Sequence, residues 1–360
     1  MKKLSLFLLA LLFTMITFDT IKAIPSFTRR YGISCQGCHY RINRLNQDGL
    51  NLYRMGMRMA HTDNVTNNFG DYFNFMGQVD AKGKKGALDP VYTPVVRLYG
   101  AGALSENFSF LAEATLAPTS EQELADIYAQ YTSDDFGGNY FTVRFGQFLP
   151  LMLVDNPVEV AADRGGPFPR ERRFGTEFGY SVNNKFWASA AVMQAADPNG
   201  IGKNSLYDVV LNTQYIIDNN GTSLGAYAWL GNYYKDNKDN TDSYTRIGFV
   251  GNYNFDKLLV TGGFSTGKGN SGSGGSATEN GFFANLDYLL SEKLIPVVNL
   301  TWFDPNTDVD KNEQLVITAS LFWWAAENVS IRPQIIYTKD KAKGDNYDTW
   351  RYAFRAQFIL

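Results

Sequence analysis

The sequence predicts an all-β architecture: a transmembrane up-and-down antiparallel β-barrel of about sixteen strands, preceded by a short N-terminal α-helical plug. Three observations carry that prediction. From about Tyr72 to the end, stretches of about ten residues alternate apolar and polar side chains, as two-faced membrane strands do. The connections between them alternate short and long, like the periplasmic turns and extracellular loops of such barrels. Aromatic residues reach 15% (21 Tyr, 26 Phe, 6 Trp) while charged residues are only 19%, where a soluble domain carries nearer a quarter.

The predicted strands cover residues 72–82, 92–103, 108–117, 123–132, 139–148, 173–182, 185–194, 206–216, 223–234, 243–255, 257–267, 279–289, 293–303, 313–324, 328–338 and 348–360. In the first, Phe73, Phe75, Val79 and Ala81 alternate with Asn74, Gln78, Asp80 and Lys82. In the last, Tyr352, Phe354, Ala356 and Phe358 alternate with Arg351, Arg355 and Gln357. One face suits lipid and the other a polar lumen. Tyr140, Trp187, Tyr233, Tyr234, Trp302, Trp323, Trp324 and Trp350 fall near strand ends, where interfacial girdles of aromatics form, although a sandwich core would also use them. An even strand number leaves both chain ends in the periplasm. The longest connection, Leu149 to Arg172, holds Asp155, Glu159 and Asp163, hard oxygen ligands suited to transient Fe(II).

Three segments follow: residues 1–23, residues 24–69 and the barrel over 70–360. The first reads Lys2-Lys3, an apolar run from Leu4 to Phe18, and Ala23, the pattern of a secretory signal peptide. In the second, Cys35-Gln-Gly-Cys38-His39 is a C-x-x-C-H sequence and holds the only two cysteines of the chain. In that motif each thiol adds to one haem vinyl group, and the following histidine reaches the iron as its proximal ligand. A disulfide between residues this close forms a strained loop, and a zinc site would need ligands this chain scarcely has. The expected cofactor is therefore one covalent haem c on Cys35, Cys38 and His39. Export and haem attachment support each other, because covalent attachment belongs to the bacterial periplasm. Candidates for the sixth iron position are His61 and Met59, with Met55, Met57 or an open site as further alternatives.

Residues 24–69 are too few for an ordinary independent domain, so the haem would be the staple that holds them. The reading is two short helical pieces, Tyr31 to Leu45 and a helix from Gly49 to about Met59 capped by Asp48. Arg29, Arg30, Arg41, Arg44, Arg54 and Arg58 oppose the single acid Asp48 in residues 24–60, whereas the whole chain has a net charge of −3. A basic plug would dock in an acidic barrel, and one or two arginines would pair with haem propionates, if they do not simply stay solvated.

The stretch from Ile24 to Met59 resembles the N-terminal segment of the fused outer-membrane monohaem cytochrome c-porins, a family that includes iron-oxidising cytochromes. The matching residues are Ser26-Phe27, Arg29, Cys35 to His39, Leu45, Gly49 and Gly56; Met57 stands where the family often has tyrosine, and Asp48 where some members have histidine. The barrel half resembles phosphate-selective porins through Phe141 to Pro150. The resemblance implies electron transfer across the outer membrane, from extracellular Fe(II) or a mineral to a periplasmic cytochrome, an Fe(II):cytochrome c oxidoreductase activity. A rival reading is a diffusion porin whose haem segment gates or senses, with Arg97, Arg144, Arg172 and Arg173 setting selectivity in the lumen. Outward electron transfer to an external acceptor is a third. Outer-membrane lipid is the expected surrounding, and nucleic acid is not an expected partner.

Overall fold

The computed structural model describes residues 31–41, 44–58, 72–84, 91–116, 123–133, 138–150, 172–194, 207–218, 220–234, 241–268, 277–341 and 348–359. The signal peptide expected at 1–23, Met59, His61, and the loop acids Asp155, Glu159 and Asp163 lie outside these residues.

The first described elements are a single helical turn, α1 (Cys35–Cys38), a small antiparallel pair, β1 (His39–Arg41) and β2 (Arg44–Leu45), and a helix, α2 (Gln47–Arg54). The barrel follows as β3 (Phe73–Lys84), β4 (Val91–Ala103), β5 (Phe108–Leu116), β6 (Glu123–Thr132), β7 (Tyr140–Phe148), β8 (Arg173–Val182), β9 (Phe186–Gln194), β10 (Tyr207–Ile216), β11 (Ser223–Tyr234), β12 (Thr241–Phe255), β13 (Leu258–Lys268), β14 (Thr278–Tyr288), β15 (Leu294–Asp304), β16 (Gln314–Ala326), β17 (Val329–Asp340) and β18 (Asp348–Ile359). Each strand pairs antiparallel with its sequence neighbour. β18 then pairs with β3, from Arg351 opposite Lys84 to Ile359 opposite Met76, and closes the ring. Sixteen strands were expected, and their ends fall within two residues of the predicted limits.

Alternation decides which side chain meets which environment. On β7, Phe145 is 56% exposed on the outside while its neighbour Arg144 is 1% exposed on the inside. Phe75, Phe178, Phe249, Tyr253 and Phe354 continue the outward apolar surface, and Asn74, Gln78, Gln130 and Asn285 the inward polar one. A water-soluble sheet would bury the first set. A lipid-facing barrel exposes it, because the closed ladder satisfies every backbone group in the strands and leaves the outer face free to be apolar. The β8–β9 hairpin turns at Asn183 and Asn184, with φ of 53° and 54°. Those left-handed values suit the twist of a tight hairpin, and asparagine tolerates them.

Part of the expected aromatic girdle is turned the other way. Trp323 and Trp350 do face outward, but Tyr140, Trp187 and Trp324 are at most 2% exposed and point into the lumen. They sit on the inward parity of their strands and pack against the N-terminal segment, which explains their burial.

That segment also departs from the expected pair of helical arms. Among the described residues of the Tyr31 to Leu45 arm, Tyr31 and the turn Cys35–Cys38 are helical, and β1–β2 follows that turn. α2 begins at Gln47, not Gly49, and its cap is Asn46, not Asp48. The Asn46 side chain accepts a hydrogen bond from the Gly49 N–H at 2.9 Å while its amide donates to the Gly37 carbonyl, also at 2.9 Å. Asn46 thus caps α2 and ties it to α1 at once, which a carboxylate cannot do because it has no N–H to give. The helix stops at Arg54, short of Met59. Gly56 takes a φ of 74°, and the Met57 N–H reaches back to the Leu52 carbonyl at 2.8 Å, the bonding of a Schellman terminus.

Candidate functional site

One helical turn carries both thiols. Cys35 and Cys38, three residues apart, share a face of α1, and among the described residues no disulfide joins them. Burial, with Asp48 as the second cause, pushes the Cys38 thiol above its ordinary range. His39 follows at once as the first residue of β1, where pairing with Leu45 fixes its backbone. Two reduced thiols and a neighbouring imidazole on a rigid turn are a donor set that fits a covalently attached haem.

The turn is fixed from below by α2. A Cβ built on Gly49 would lie 2.1 Å from the Cys38 carbonyl oxygen and 3.0 Å from the Leu45 side chain. The Leu45–Gly49 spacing is therefore a packing requirement: Leu45 fills the corner, and glycine alone lets α2 pass the motif at that separation. The Asn46 N–H donates to that same Cys38 carbonyl at 2.9 Å.

The segment lies across one mouth of the barrel. On one wall, Arg41 Nε and Arg44 Nη1 donate to a single carboxylate oxygen of Asp287 on β14, at 2.9 and 3.0 Å. Arg44 Nη2 also reaches Thr261 Oγ1 at 2.7 Å. Gln36 donates to the Glu292 carbonyl at 3.0 Å, and Cys35 packs on the apolar cluster of Ile295, Val297, Phe322 and Trp324. On the other wall, Gln130 Nε2 of β6 donates to the Arg54 carbonyl at 2.7 Å, and Arg54 itself bonds Gln214 and lies 5.1 Å over the Trp187 ring. Met55 packs with Tyr140 and Trp187. β6 and β14 stand eight strands apart in a ring of sixteen, so the segment spans the full diameter of the lumen. Glu292 and Glu106, whose carbonyl accepts from Arg58, belong to short hairpin turns. The plug therefore occupies the mouth at the short-turn end of the barrel. Arg41, Arg44, Arg54 and Arg58 are all buried. Arg41 and Arg44 meet the wall through the buried carboxylate of Asp287, while Arg54 and Arg58 meet it through the Gln214 amide and the Glu106 carbonyl.

Beside and beyond the plug, four lumen arginines stand next to carboxylates. Arg144 meets Glu177 at 3.4 Å with its guanidinium 4.4 Å from the Tyr128 ring centroid, Arg97 meets Glu113 at 3.5 Å, and Arg172 meets Asp126 at 2.8 Å. Arg173 reaches the fully buried Asp208 at 2.5 Å, which also accepts from Trp229 Nε1 and the Tyr244 hydroxyl. All four arginines expected in the lumen are there, each beside a carboxylate. Sequence reasoning missed those partners, and Asp287 with them. Their inward parity on predicted strands was the available signal.

No protein-family model matches the chain, and no curated protein matches it in sequence. The likeness is to solved porin structures. The outer membrane channel DcaP of Acinetobacter baumannii superposes with a TM-score of 0.60 at 10% identity, covering 80% of this chain and 96% of that one. An anion-selective porin from Comamonas acidovorans gives 0.59 at 15% identity over 80% and 98%. OmpT, an outer membrane protein of Vibrio cholerae, gives 0.57 at 9% identity over 80% and 98%. The chain is a porin-like, sixteen-stranded transmembrane β-barrel of the outer-membrane type, with its N-terminal segment folded across the mouth at the short-turn end.

Proposed function

We propose that the chain is an outer-membrane electron carrier that binds one haem c through Cys35 and Cys38, with His39 as the proximal iron ligand, and passes electrons between an extracellular donor and a periplasmic cytochrome. The observation that carries this reading is the placement of C-x-x-C-H: it belongs to a plug anchored on two opposite walls of the lumen, where a barrel that only admitted solutes would have no use for it. A bound haem supplies one-electron chemistry. The chain's residues do the rest. Asn46 and Gly49 hold α1 against α2 so that the thiols and the imidazole stay on one rigid unit, and Arg41, Arg44 and Arg54 hold that unit in the mouth. Met59 and His61 follow the plug in sequence and remain the candidates for the sixth position. Fe(II) is the proposed donor, and Asp155, Glu159 and Asp163 in the longest extracellular connection are its proposed point of approach. Electron flow in the outward direction uses the same parts.

A second reading is favoured by the likeness to outer-membrane channels and by the arginines of the lumen. In it the chain is a diffusion porin, with Arg97, Arg144, Arg172 and Arg173 acting on solutes and the haem segment gating the mouth. Anaerobic stopped-flow mixing of the purified protein with Fe(II), beside a liposome-swelling assay, separates the two. Rapid haem reduction without swelling supports the carrier; swelling without reduction supports the porin.

A further inference from the structure

The two walls hold the plug by different chemistry. On one side, Arg41 and Arg44 bring their charge to Asp287, a carboxylate that is itself fully buried. On the other, where α2 ends, the plug inserts Arg54, which is buried and, among the described residues, forms no ion pair. Its Nη2 donates to the side-chain oxygen of Gln214 and its guanidinium lies over the Trp187 ring. Arg54 Nε meets no acceptor, and neither does Trp187 Nε1. Gln214 and Trp187 are cross-strand partners on the inward face, so these groups make a single contact. Glu177 acts on Arg54 from further off, but it stands 3.4 Å from Arg144. Burial pulls the Arg54 guanidinium below its ordinary range to about 10, and the opposing effects of Tyr140 and Glu177 do not cancel it. Other bonds at this end run from neutral wall side chains to plug carbonyls, from Gln130 to Arg54 at 2.7 Å and from Thr132 to Met55 at 3.4 Å.

A buried guanidinium without a carboxylate is destabilising, and hydration relieves it as soon as the contact opens. Separating Arg41 and Arg44 from Asp287 has the opposite sign, because it strands charges that are paired in the closed form. A short, stiff lever joins the two ends. The β1–β2 pair carries Arg41 and Arg44, α2 follows directly, and its eight residues span about 12 Å to Arg54. We propose that the plug is a hinged gate: it pivots on Arg41, Arg44 and Asp287, and it opens where Arg54 parts from Gln214 and Trp187. The proposal rests on the gating reading and names the end that moves and the residue that sets how often it does. α1 lies at the pivot end, with Cys35 against Ile295, Val297, Phe322 and Trp324. The C-x-x-C-H turn therefore keeps its wall while the opposite side of the mouth opens.

The test uses the full-length holoprotein, in planar bilayers for conductance and in detergent for hydroxyl-radical footprinting. Trp187 and Trp324 are equally buried in the closed form, one at the opening end and one at the pivot end beneath Tyr40. In the wild type Trp187 should be oxidised faster than Trp324. Gln214→Glu places a carboxylate where Arg54 already reaches, and should cut both Trp187 oxidation and the fraction of time spent conducting by about tenfold. Arg54→Leu removes the charge and should act in the same direction, whereas Asp287→Asn should raise the oxidation of Trp324. Gln214→Glu leaves Arg54 in place, so the test stands even where Arg54→Leu fails to fold. A Gln214→Glu protein that opens as often as the wild type, or a wild type in which Trp324 is labelled ahead of Trp187, would overturn the hinge. Trp187 labelled first in a barrel that never conducts would leave the hinge standing and overturn the gating reading instead.

Discussion

Gly49 approaches Cys38 so closely that a methyl group at residue 49 would sit 2.1 Å from the Cys38 carbonyl oxygen. The contact is with backbone, which has no rotamer to yield, so α2 would have to move away from the motif. Gly49→Ala should destabilise the plug by about 1–3 kcal/mol, the range for overpacking. It should lower haem occupancy and speed protease cleavage within residues 31–58. Gly83→Ala, at a position with nothing within 4 Å, is the matched control and should behave as wild type.

The double claim of Arg41 and Arg44 on Asp287 is the main anchor on one wall. Asp287→Asn leaves two buried guanidiniums without their carboxylate and should weaken plug docking by about 3–5 kcal/mol, read as faster proteolysis of the plug while the barrel remains resistant. Replacing all three by apolar residues, Arg41→Met, Arg44→Met and Asp287→Leu, removes the desolvated charges together. That triple variant should dock more firmly than Asp287→Asn. Equal protease sensitivity of Asp287→Asn and wild type would show that this cluster does not hold the plug.

Much of this molecule was legible in its sequence, and the exceptions have physical causes. The sixteen strands could be placed because each has two faces and lipid selects one of them, so the pattern is local. Asn183-Asn184 could be read as a hairpin turn for the same reason: its backbone demand lies in the two residues themselves. The cap of α2 could not be separated that way. Asn46 and Asp48 are both good caps, and what selects Asn46 is its amide reaching Gln36 and Gly37 across a fold not visible in the string. Tyr140, Trp187 and Trp324 lie on the inward parity of their strands, but that a plug covers these aromatics inside a polar lumen is not visible in the strand pattern. The partnership of Arg41 with Asp287 joins residues 246 apart, and no local rule reaches so far. At the candidate site, spacing alone singles out Cys35, Cys38 and His39, while the wall that their segment packs against could not be read from the sequence.

The sixth iron position is decided by replacing its two candidates separately. His61→Ala and Met59→Ala should differ, with only the true ligand's loss changing the low-temperature magnetic spectrum of the haem. A native thioether ligand should give a higher potential than a second imidazole, since sulfur favours the reduced iron. An unaltered spectrum in both variants would move the assignment to Met55, Met57 or an open position.

Covalent stoichiometry follows from the thiol count. The chain has two cysteines, both in the motif, so the mature protein should carry one haem per chain and leave no thiol for a maleimide to label. Peroxidase staining after denaturing electrophoresis should persist in the wild type and fall sharply in Cys35→Ser and Cys38→Ser. Normal staining in either variant would place the haem elsewhere.

The most direct test of the central claim is anaerobic stopped-flow reduction of the haem by Fe(II) applied only to the outer side of proteoliposomes in which the extracellular loops face outward. An electron carrier of this kind should show rapid reduction of the haem with no swelling of the same liposomes in small solutes, and slower reduction by Fe(II) but not by dithionite after joint neutralisation of Asp155, Glu159 and Asp163. Haem that stays oxidised under Fe(II), in vesicles that swell freely, would contradict it.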